Sequence, residues 1–453
     1  MEQMTVRDIV TATGGRLLCG DESQPIVHIG INSREVQRGE LFVPLVGEKV
    51  DAHRFIQMAF EAGAGAVLTS EHDQKEDAHP WIRVEDTKKA LQAVGAYYRR
   101  RLTLPLIGIT GSVGKTTTRE LVAAALSAGF RVYKTPGNKN SQVGVPITLS
   151  EITSEDEIGV LELGMSMPGE MTVIARIAQI NMAVITNVGV THIEQLGSQE
   201  NIYQEKLKIQ DGLRDGGILL LNGDDPMLKE TRAKEGCRTV YYGTGKHCEY
   251  RAENIRLKDG FPVFEAVHGE RRVSVQLKVM GFHQVGNAMA ALAAADLYGM
   301  DMAAAAERLQ EFTGFQGRQQ VYTRGQVTII DDTYNASPAS MKASLQVLAS
   351  MEKAVRRIAV LADMKELGPD EERFHREIGE WLSGQPVDVV FTLGSLSRSI
   401  EAGKECRHFD QEDLSGLTRA VEELLAPGDC VLLKGSRSME LDQVAKRLVG
   451  PTE

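Results

Sequence analysis

Residues Gly108–Thr118 read GITGSVGKTTT, between the apolar run Leu104–Ile109 and the Ala- and Leu-rich stretch Glu120–Phe130. That order predicts a strand, a glycine-rich turn and a helix. The segment Gly108–Thr116 is read as a phosphate-cradling loop of the G-x-x-x-x-G-K-[ST] type. Gly111 and Gly114 let backbone N–H groups around Ser112 and Val113 converge on phosphate oxygens without a Cβ in the way. The start of the helix, at Lys115, Thr116 and Thr117, adds the positive end of its dipole. Lys115 is expected to reach the β- and γ-phosphates, and Thr116 to offer its hydroxyl to Mg²⁺. The expected ligand is a nucleoside triphosphate.

The chain has 453 residues, more than one hydrophobic core usually supports, so two to four domains are expected. Apolar residues make up 42% and charged residues 25%, the balance of a globular protein rather than a disordered one. A formal net charge of -11 argues against nucleic-acid binding, which needs a basic footprint. Cys19, Cys237, Cys248, Cys406 and Cys430 are scattered without metal-ligand spacing and read as reduced thiols of a cytoplasmic protein. No signal peptide is visible, and the apolar-rich stretch Ala288–Ala306, broken by Asp296 and Asp301, fails as a membrane span.

Three blocks emerge: 1–103, 104–313 and 314–453. The first has short strand-like pieces (Leu41–Leu45, Ala66–Leu68, Trp81–Val84) and a helix pattern, His53–Ala62, closed by Gly63. Its basic end, Arg99–Arg101 followed by Pro105, reads as a boundary between blocks or as a solvated helix end. The second alternates strands (Leu106–Thr110, Ile158–Leu163, Met182–Asn187, Ile218–Asn222) with helical segments, including Glu200–Gly212, Gly286–Tyr298 and Met302–Phe312. This predicts a mostly parallel sheet covered on both faces. The third repeats the grammar with Val327–Ile330, Arg357–Ala362, Val387–Leu393 and Cys430–Leu433, and a cap at Pro369-Asp370 opens one helix. The class is α/β, with a ligand cleft expected between the second and third blocks.

Ligands of open α/β sheets collect at the carboxyl ends of strands, where Glu162 (in LELGMS) and His192 (in TNVGVTHIEQLGS) fall. Glu162 could complete an Mg²⁺ shell or serve as a turn residue, and His192 could be a ligand or structural. Lys206 by itself reads as a solvated surface lysine. Asn138 and Asn140 in TPGNKNSQVGVP, and Ser33-Arg34, suit turns or donors to a phosphate or sugar.

Taken together, these strings resemble the Mur ligase family. To those above are added SREVQRGELFVPLVGE, GFHQVGN, GFQGRQQVY, DDTYNASP, LADMKELG and LLKGSRSMELDQV, so the likeness covers nearly the whole chain. It implies three domains: a smaller N-terminal α/β domain for a UDP-linked substrate, a central phosphate-loop parallel-sheet domain for ATP, and a C-terminal Rossmann-like domain. It also implies an ATP-dependent ligase, working as a monomer, that adds D-alanyl-D-alanine to UDP-N-acetylmuramoyl-tripeptide. Under the resemblance Gly111–Thr117 hold the ATP phosphates, Thr116 and Glu162 one Mg²⁺, and His192 and a carbamylated Lys206 a second. Asn287 lies near the adenine, and Arg318 and Asp332 reach the nucleotide from the third domain. Ser33, Arg34, Asn138 and Asn140 face the UDP-substrate. Gln284, Ser141, Ser337 and Lys208 depart from the family's common residues. Another Mur-type amino-acid ligase and a phosphate-loop kinase or NTPase are the rival readings.

Overall fold

The computed structural model describes residues 1–315 and 317–450 and contains three α/β sheets of five, nine and six strands besides one short two-stranded pair. In the nine-stranded sheet, Leu106–Thr110 lies between Ile158–Glu162 and Met182–Ile185, followed outward by Ile218–Asn222 and Arg238–Gly243. All these pairings are parallel. Ile107, Ile109, Val160 and Val184 pack on one side against the Ala-rich helix His283–Leu297. Leu106, Leu161, Ala183 and Ile185 pack on the other, against Ile174 and Ile202. Both faces are therefore dry, which is why these strands read as unbroken apolar runs.

The sheet is mostly parallel, as expected, and three strands that the sequence did not mark lengthen it. Tyr250–Lys258, Phe261–His268 and Arg271–Gln276 extend it as an antiparallel meander. Their outward positions carry Arg251, Glu253, Arg256 and Arg272, and this charged face hid the strands from a search for apolar runs. The third sheet likewise gains an antiparallel edge, Gln320–Arg324, and a parallel one, Glu405–Phe409, both half exposed and polar. Pro369-Asp370 is not a side-chain cap: it sits in the 3-10 turn Gly368–Asp370, and Asp370 pairs with Arg373. Among the described residues no helix is long and apolar enough to cross a membrane.

In the basic run, Arg100 and Arg101 are exposed at the helix end as expected, but Arg99 is not. Arg99 is fully buried at the end of helix Thr87–Arg101 and donates to the carbonyls of Ala178 (2.8 Å), Gln179 (3.0 Å) and Leu102 (2.9 Å). Ala178 and Gln179 close helix Glu170–Ala178, whose unpaired carbonyls and negative dipole end attract a guanidinium. The arginine thus fastens the first block to the central sheet, with burial pushing its pKa down to about 10. Arg99→Ala strands these carbonyls and should cost about 2–4 kcal/mol in urea unfolding; a change under about 0.5 kcal/mol, the range of ordinary surface substitutions, would contradict this account.

Candidate active site

Strand Leu106–Thr110 delivers its chain to a turn that two glycines make possible. Gly111 has φ 149, and a Cβ there would lie 1.9 Å from Thr186 Oγ1; Gly114 has φ 86, and a Cβ would lie 2.9 Å from Asn287 Oδ1. Counted residue by residue, the loop departs from the G-x-x-x-x-G-K-[ST] spacing, because the buried strand residue Ile109 holds the first glycine's place. Gly111 makes the turn instead. The carboxyl end of the next strand braces it. Asn187 accepts from the Val113 amide (2.9 Å) and donates to the Val113 carbonyl (2.8 Å), while Thr186 Oγ1 donates to that same carbonyl (2.6 Å). Helix Lys115–Leu126 then begins with no side-chain cap, since its N-cap is Gly114. The amides of Lys115, Thr116 and Thr117 therefore have no intrahelical acceptor and face the cavity these residues line.

That cavity, about 350 Å³, lies between the second and third sheets. It brings together Ser112–Thr117, Asn140, Glu162, His192, Asn287, Arg318 and Asp332 from the expected set. Glu162 is buried at its strand end and accepts from Thr116 Oγ1 (2.9 Å), Asn140 Nδ2 (2.8 Å) and Arg119 Nη1 (3.3 Å). Lys115 Nζ folds back onto the Gly111 carbonyl (2.8 Å). Burial and, more weakly, Arg318 hold the Lys115 pKa below its ordinary value against the opposing pull of Glu162. Arg318 lies 4.0 Å over the Tyr334 ring, and its buried Nε has no hydrogen-bond partner among the described residues. Free amides, a lysine and an unsatisfied guanidinium across one cavity fit a polyphosphate.

Lys206 is 2% exposed, so the solvated reading fails. Its nearest carboxylate, Glu205, is already committed to the Met171 amide (3.0 Å) and Lys208 Nζ (2.7 Å). Burial, with Lys115 adding to it, pushes the Lys206 amine well below its ordinary pKa. His192 has φ 64, and its Nδ1 lies 2.6 Å from Glu366 Oε2 of the third sheet's loop 363–367. Asn287 accepts from Thr118 Oγ1 (3.0 Å) and holds Gln284 (2.9 Å). Asp332 pairs with the buried Lys434 at 2.6 Å and accepts from Ser344. Asn138 lines a second, larger cavity rather than this one, and neither cavity includes the buried Ser33 or the exposed Arg34.

Three family models match the chain: Mur ligase family, catalytic domain, over residues 25–99; Mur ligase middle domain, over 109–295; and Mur ligase, glutamate ligase domain, over 317–437. A relative from Bacillus subtilis (strain 168), the UDP-N-acetylmuramoyl-tripeptide--D-alanyl-D-alanine ligase, is 38% identical over 99% of both chains. The chain belongs to the Mur ligase family. The Escherichia coli (strain K12) protein of the same name is 31% identical over 92% of each Mur ligase. MurF from Acinetobacter baumannii superposes with a TM-score of 0.90 at 29% identity, covering 98% of both chains. The MurF ligase from Thermotoga maritima in complex with ADP gives 0.83 at 28%, covering 92% of this chain and 96% of that one.

Sequence reading missed several residues of this Mur ligase site. Arg119 is 1% exposed and joins Glu162 to Glu120 (2.6 Å) and the Gly137 carbonyl (2.8 Å). Asn187, at a strand's carboxyl end, was findable by the same rule that found Glu162. Lys434 and Glu366 come from the third block; both lie in strings that carried the resemblance, LLKGSRSMELDQV and LADMKELG, but neither was singled out. His283 lines the cavity, and burial pushes it down to about 4, with Asp332 opposing and Lys434 adding to the shift. An unfolded histidine titrates near 6.5, so the unfolded chain binds more protons as pH falls through this window. The stability His283 confers above about pH 6.5 is therefore lost toward pH 4. Between pH 7 and 5 the loss should be on the order of 1–2 kcal/mol, and His283→Gln should remove it. Urea unfolding at both pH values checks this; an unchanged difference would refute it.

Proposed function

We propose that this chain is an ATP-dependent amide ligase that joins D-alanyl-D-alanine to UDP-N-acetylmuramoyl-tripeptide, forming the UDP-N-acetylmuramoyl-pentapeptide precursor of peptidoglycan and releasing ADP and phosphate. One observation carries the reading. The uncapped phosphate loop faces Glu162 and the unsatisfied Arg318 across a single cavity, in a chain 38% identical over 99% of its length to a protein of that name.

An amide does not form from a carboxylate and an amine in water without activation. ATP supplies it by transferring its γ-phosphoryl group to the tripeptide carboxylate. The oxygen–phosphorus bond to the β-phosphate breaks, ADP leaves, and an acyl phosphate forms. The dipeptide amine attacks the carbonyl, loses a proton, and phosphate departs. Approach of one anion to another is the barrier, and Lys115, Arg318 and the loop amides at 111–117 lower it by facing the transferring oxygens. Magnesium ions, when bound, would offset the remaining negative charge on the phosphates. Thr116 and Glu162 would hold the first ion. Their hard oxygen donors, adjacent to the phosphate loop, suit that cation.

The second ion falls to His192 and Lys206. A lysine whose amine burial drives toward its neutral form can use the Nζ lone pair to attack CO₂, forming an N–C bond and releasing a proton to give a carbamate. The result is an anionic oxygen ligand where a cation would be misplaced. Asn287 would lie by the adenine, and Asp332, through Lys434, would shape the closing side. Residues 1–103, with Ser33 and Arg34, would take the UDP moiety, while 104–313 and 314–453 would form the ATP and closing domains. Asn138 and Asn140 would border the path to the UDP-substrate. The larger cavity, about 1060 Å³, carries Lys365, Arg437 and Lys446 beside Asp331 and Asp442, a mixture suited to a zwitterionic dipeptide. Nucleotide-linked substrates place the work in the cytoplasm, and each monomer contains the whole site.

Incubation with ATP, Mg²⁺, D-alanyl-D-alanine and UDP-tripeptide should give a product heavier by one dipeptide less water, with ADP release dependent on both substrates. ADP release without the dipeptide product would refute the ligase reading. Lys115→Ala should lower turnover by about 10²–10³-fold while the fold persists. Lys206→Ala should lose activity that bicarbonate does not restore and that short carboxylates such as formate partly rescue; wild-type turnover in this variant would eliminate the carbamate.

A further inference from the structure

Glu366 has no place in the reading above, yet its carboxylate is the group that meets His192. Two loops from different sheets make this meeting. His192 precedes the short helix Ile193–Leu196 and has φ 64; Glu366 also has φ 64. Non-glycine residues rarely adopt this conformation, and where they do the surroundings must enforce it. Around Glu366 the enforcement is visible. The Met364 amide donates to His375 Nε2 (2.9 Å), and His375 Nδ1 donates to the Glu371 carbonyl (2.6 Å). The Lys365 amide donates to Ser436 Oγ (2.9 Å), and Lys365 Nζ to the buried Asp363 (2.9 Å). Two residues on, Gly368 lies against the helix that follows His192, where a Cβ would come 3.3 Å from Glu194 Cα.

The ring of His192 is thereby divided. Its buried Nδ1 faces Glu366 Oε2 at 2.6 Å, and no other acceptor meets it among the described residues. The contact has the distance of a hydrogen bond without its direction, so the pair is close enough to bond once the two side chains align. Nε2 is the ring nitrogen left for a ligand, and His192 lines a cavity with Lys115, Thr116 and Glu162. A histidine that ligates a metal through one nitrogen commonly gives its other N–H to a carboxylate, which fixes the tautomer and ring orientation.

We propose that Glu366 is a positioning residue: it holds the Nδ1–H tautomer of His192 and aims Nε2 at the second metal. This rests on the reading of His192 as a ligand of that metal. Because Glu366 belongs to the third sheet, the second metal site is complete only when that sheet is docked on the central one. Metal binding and docking therefore favour each other by the same factor.

The test is Mn²⁺ binding followed by electron paramagnetic resonance, in the full chain with a non-hydrolysable ATP analogue. Glu366→Ala should weaken the second Mn²⁺ roughly tenfold or more and leave the first unchanged. Glu366→Gln, which keeps an acceptor oxygen, should retain most of the affinity. In turnover, Glu366→Ala should raise the Mg²⁺ concentration needed for half-maximal rate with the KM for ATP unchanged. Wild-type affinity for both ions in Glu366→Ala, or equal losses in the two variants, would overturn the proposal. His192→Ala separates the two readings. If it loses the second ion while Glu366→Ala keeps it, the role of Glu366 alone fails; if it keeps both ions, the ligand reading fails. A change in small-angle scattering with unchanged Mn²⁺ affinity would make Glu366 a domain latch and overturn the metal role.

Discussion

The amides of Lys115, Thr116 and Thr117 remain free because Gly114 begins the helix with φ 86 and no side chain to fold over them. A serine or aspartate there would take up the amide of Thr116 or Thr117 and give helix Lys115–Leu126 an ordinary capped start. The chain forgoes that stabilisation, and the neighbouring structure is arranged to keep the position open. Thr186 leaves no room for a side chain at Gly111, and Asn287 leaves little at Gly114. Asn187 fixes Val113 from both its amide and its carbonyl. A loop held this firmly does not need to reorganise around an incoming triphosphate, which is the condition under which fixed dipoles lower a barrier.

Buried charges around this loop fall into two groups. Arg119 with Glu120 and Glu162, and Lys434 with Asp332, are paired and hydrogen-bonded. These pairs place other groups, and Glu162 keeps its oxygens beside Thr116 at the cavity. Lys115, Lys206 and Arg318 are different: one rests on a carbonyl, one has its neighbouring carboxylate taken, and one has an unsatisfied Nε. Buried cations without counter-ions are costly. Lys115 and Arg318 line one cavity, where an anionic ligand would relieve that cost on binding, whereas burial drives Lys206 toward its neutral form. A ligand that binds the folded chain stabilises it by mass action, and this site couples that gain to the charge it receives.

The loop and its flanking strands were legible because they obey local rules: apolar runs of strand length, glycines in a turn, a lysine and threonine at the helix start. The carboxyl-end rule likewise located Glu162 and His192. What stayed hidden was of two kinds. Strands such as Tyr250–Lys258 and Glu405–Phe409 present one face to water, and their charged residues masked the pattern. Lys206, Arg99, Lys434 and Glu366 owe their roles to burial or contact with distant segments. Arg99 meets carbonyls of Ala178 and Gln179, and Glu366 meets His192. A lysine on a polar helix and an arginine in a basic run look solvated until the element packed over them is known. For Lys206 the structure shows burial, which composition could not.

The site draws on two sheets because of what it must make. An acyl phosphate is as open to water as to an amine, so the reacting carbonyl needs walls that arrive after the substrates do. The central sheet contributes the parts that can be fixed in advance: the amides, Lys115 and Glu162. The third sheet contributes Arg318, Asp332 and Glu366, each on a segment facing the cavity or the loop beside it. Splitting the charges between two bodies means that neither alone completes the set that favours phosphoryl transfer. ATP held by the central loop without the third sheet would lack Arg318, and hydrolysis would be correspondingly slow. Separation of the functional groups therefore acts as a safeguard: the arrangement competent to activate the carboxylate is also the one that shields it.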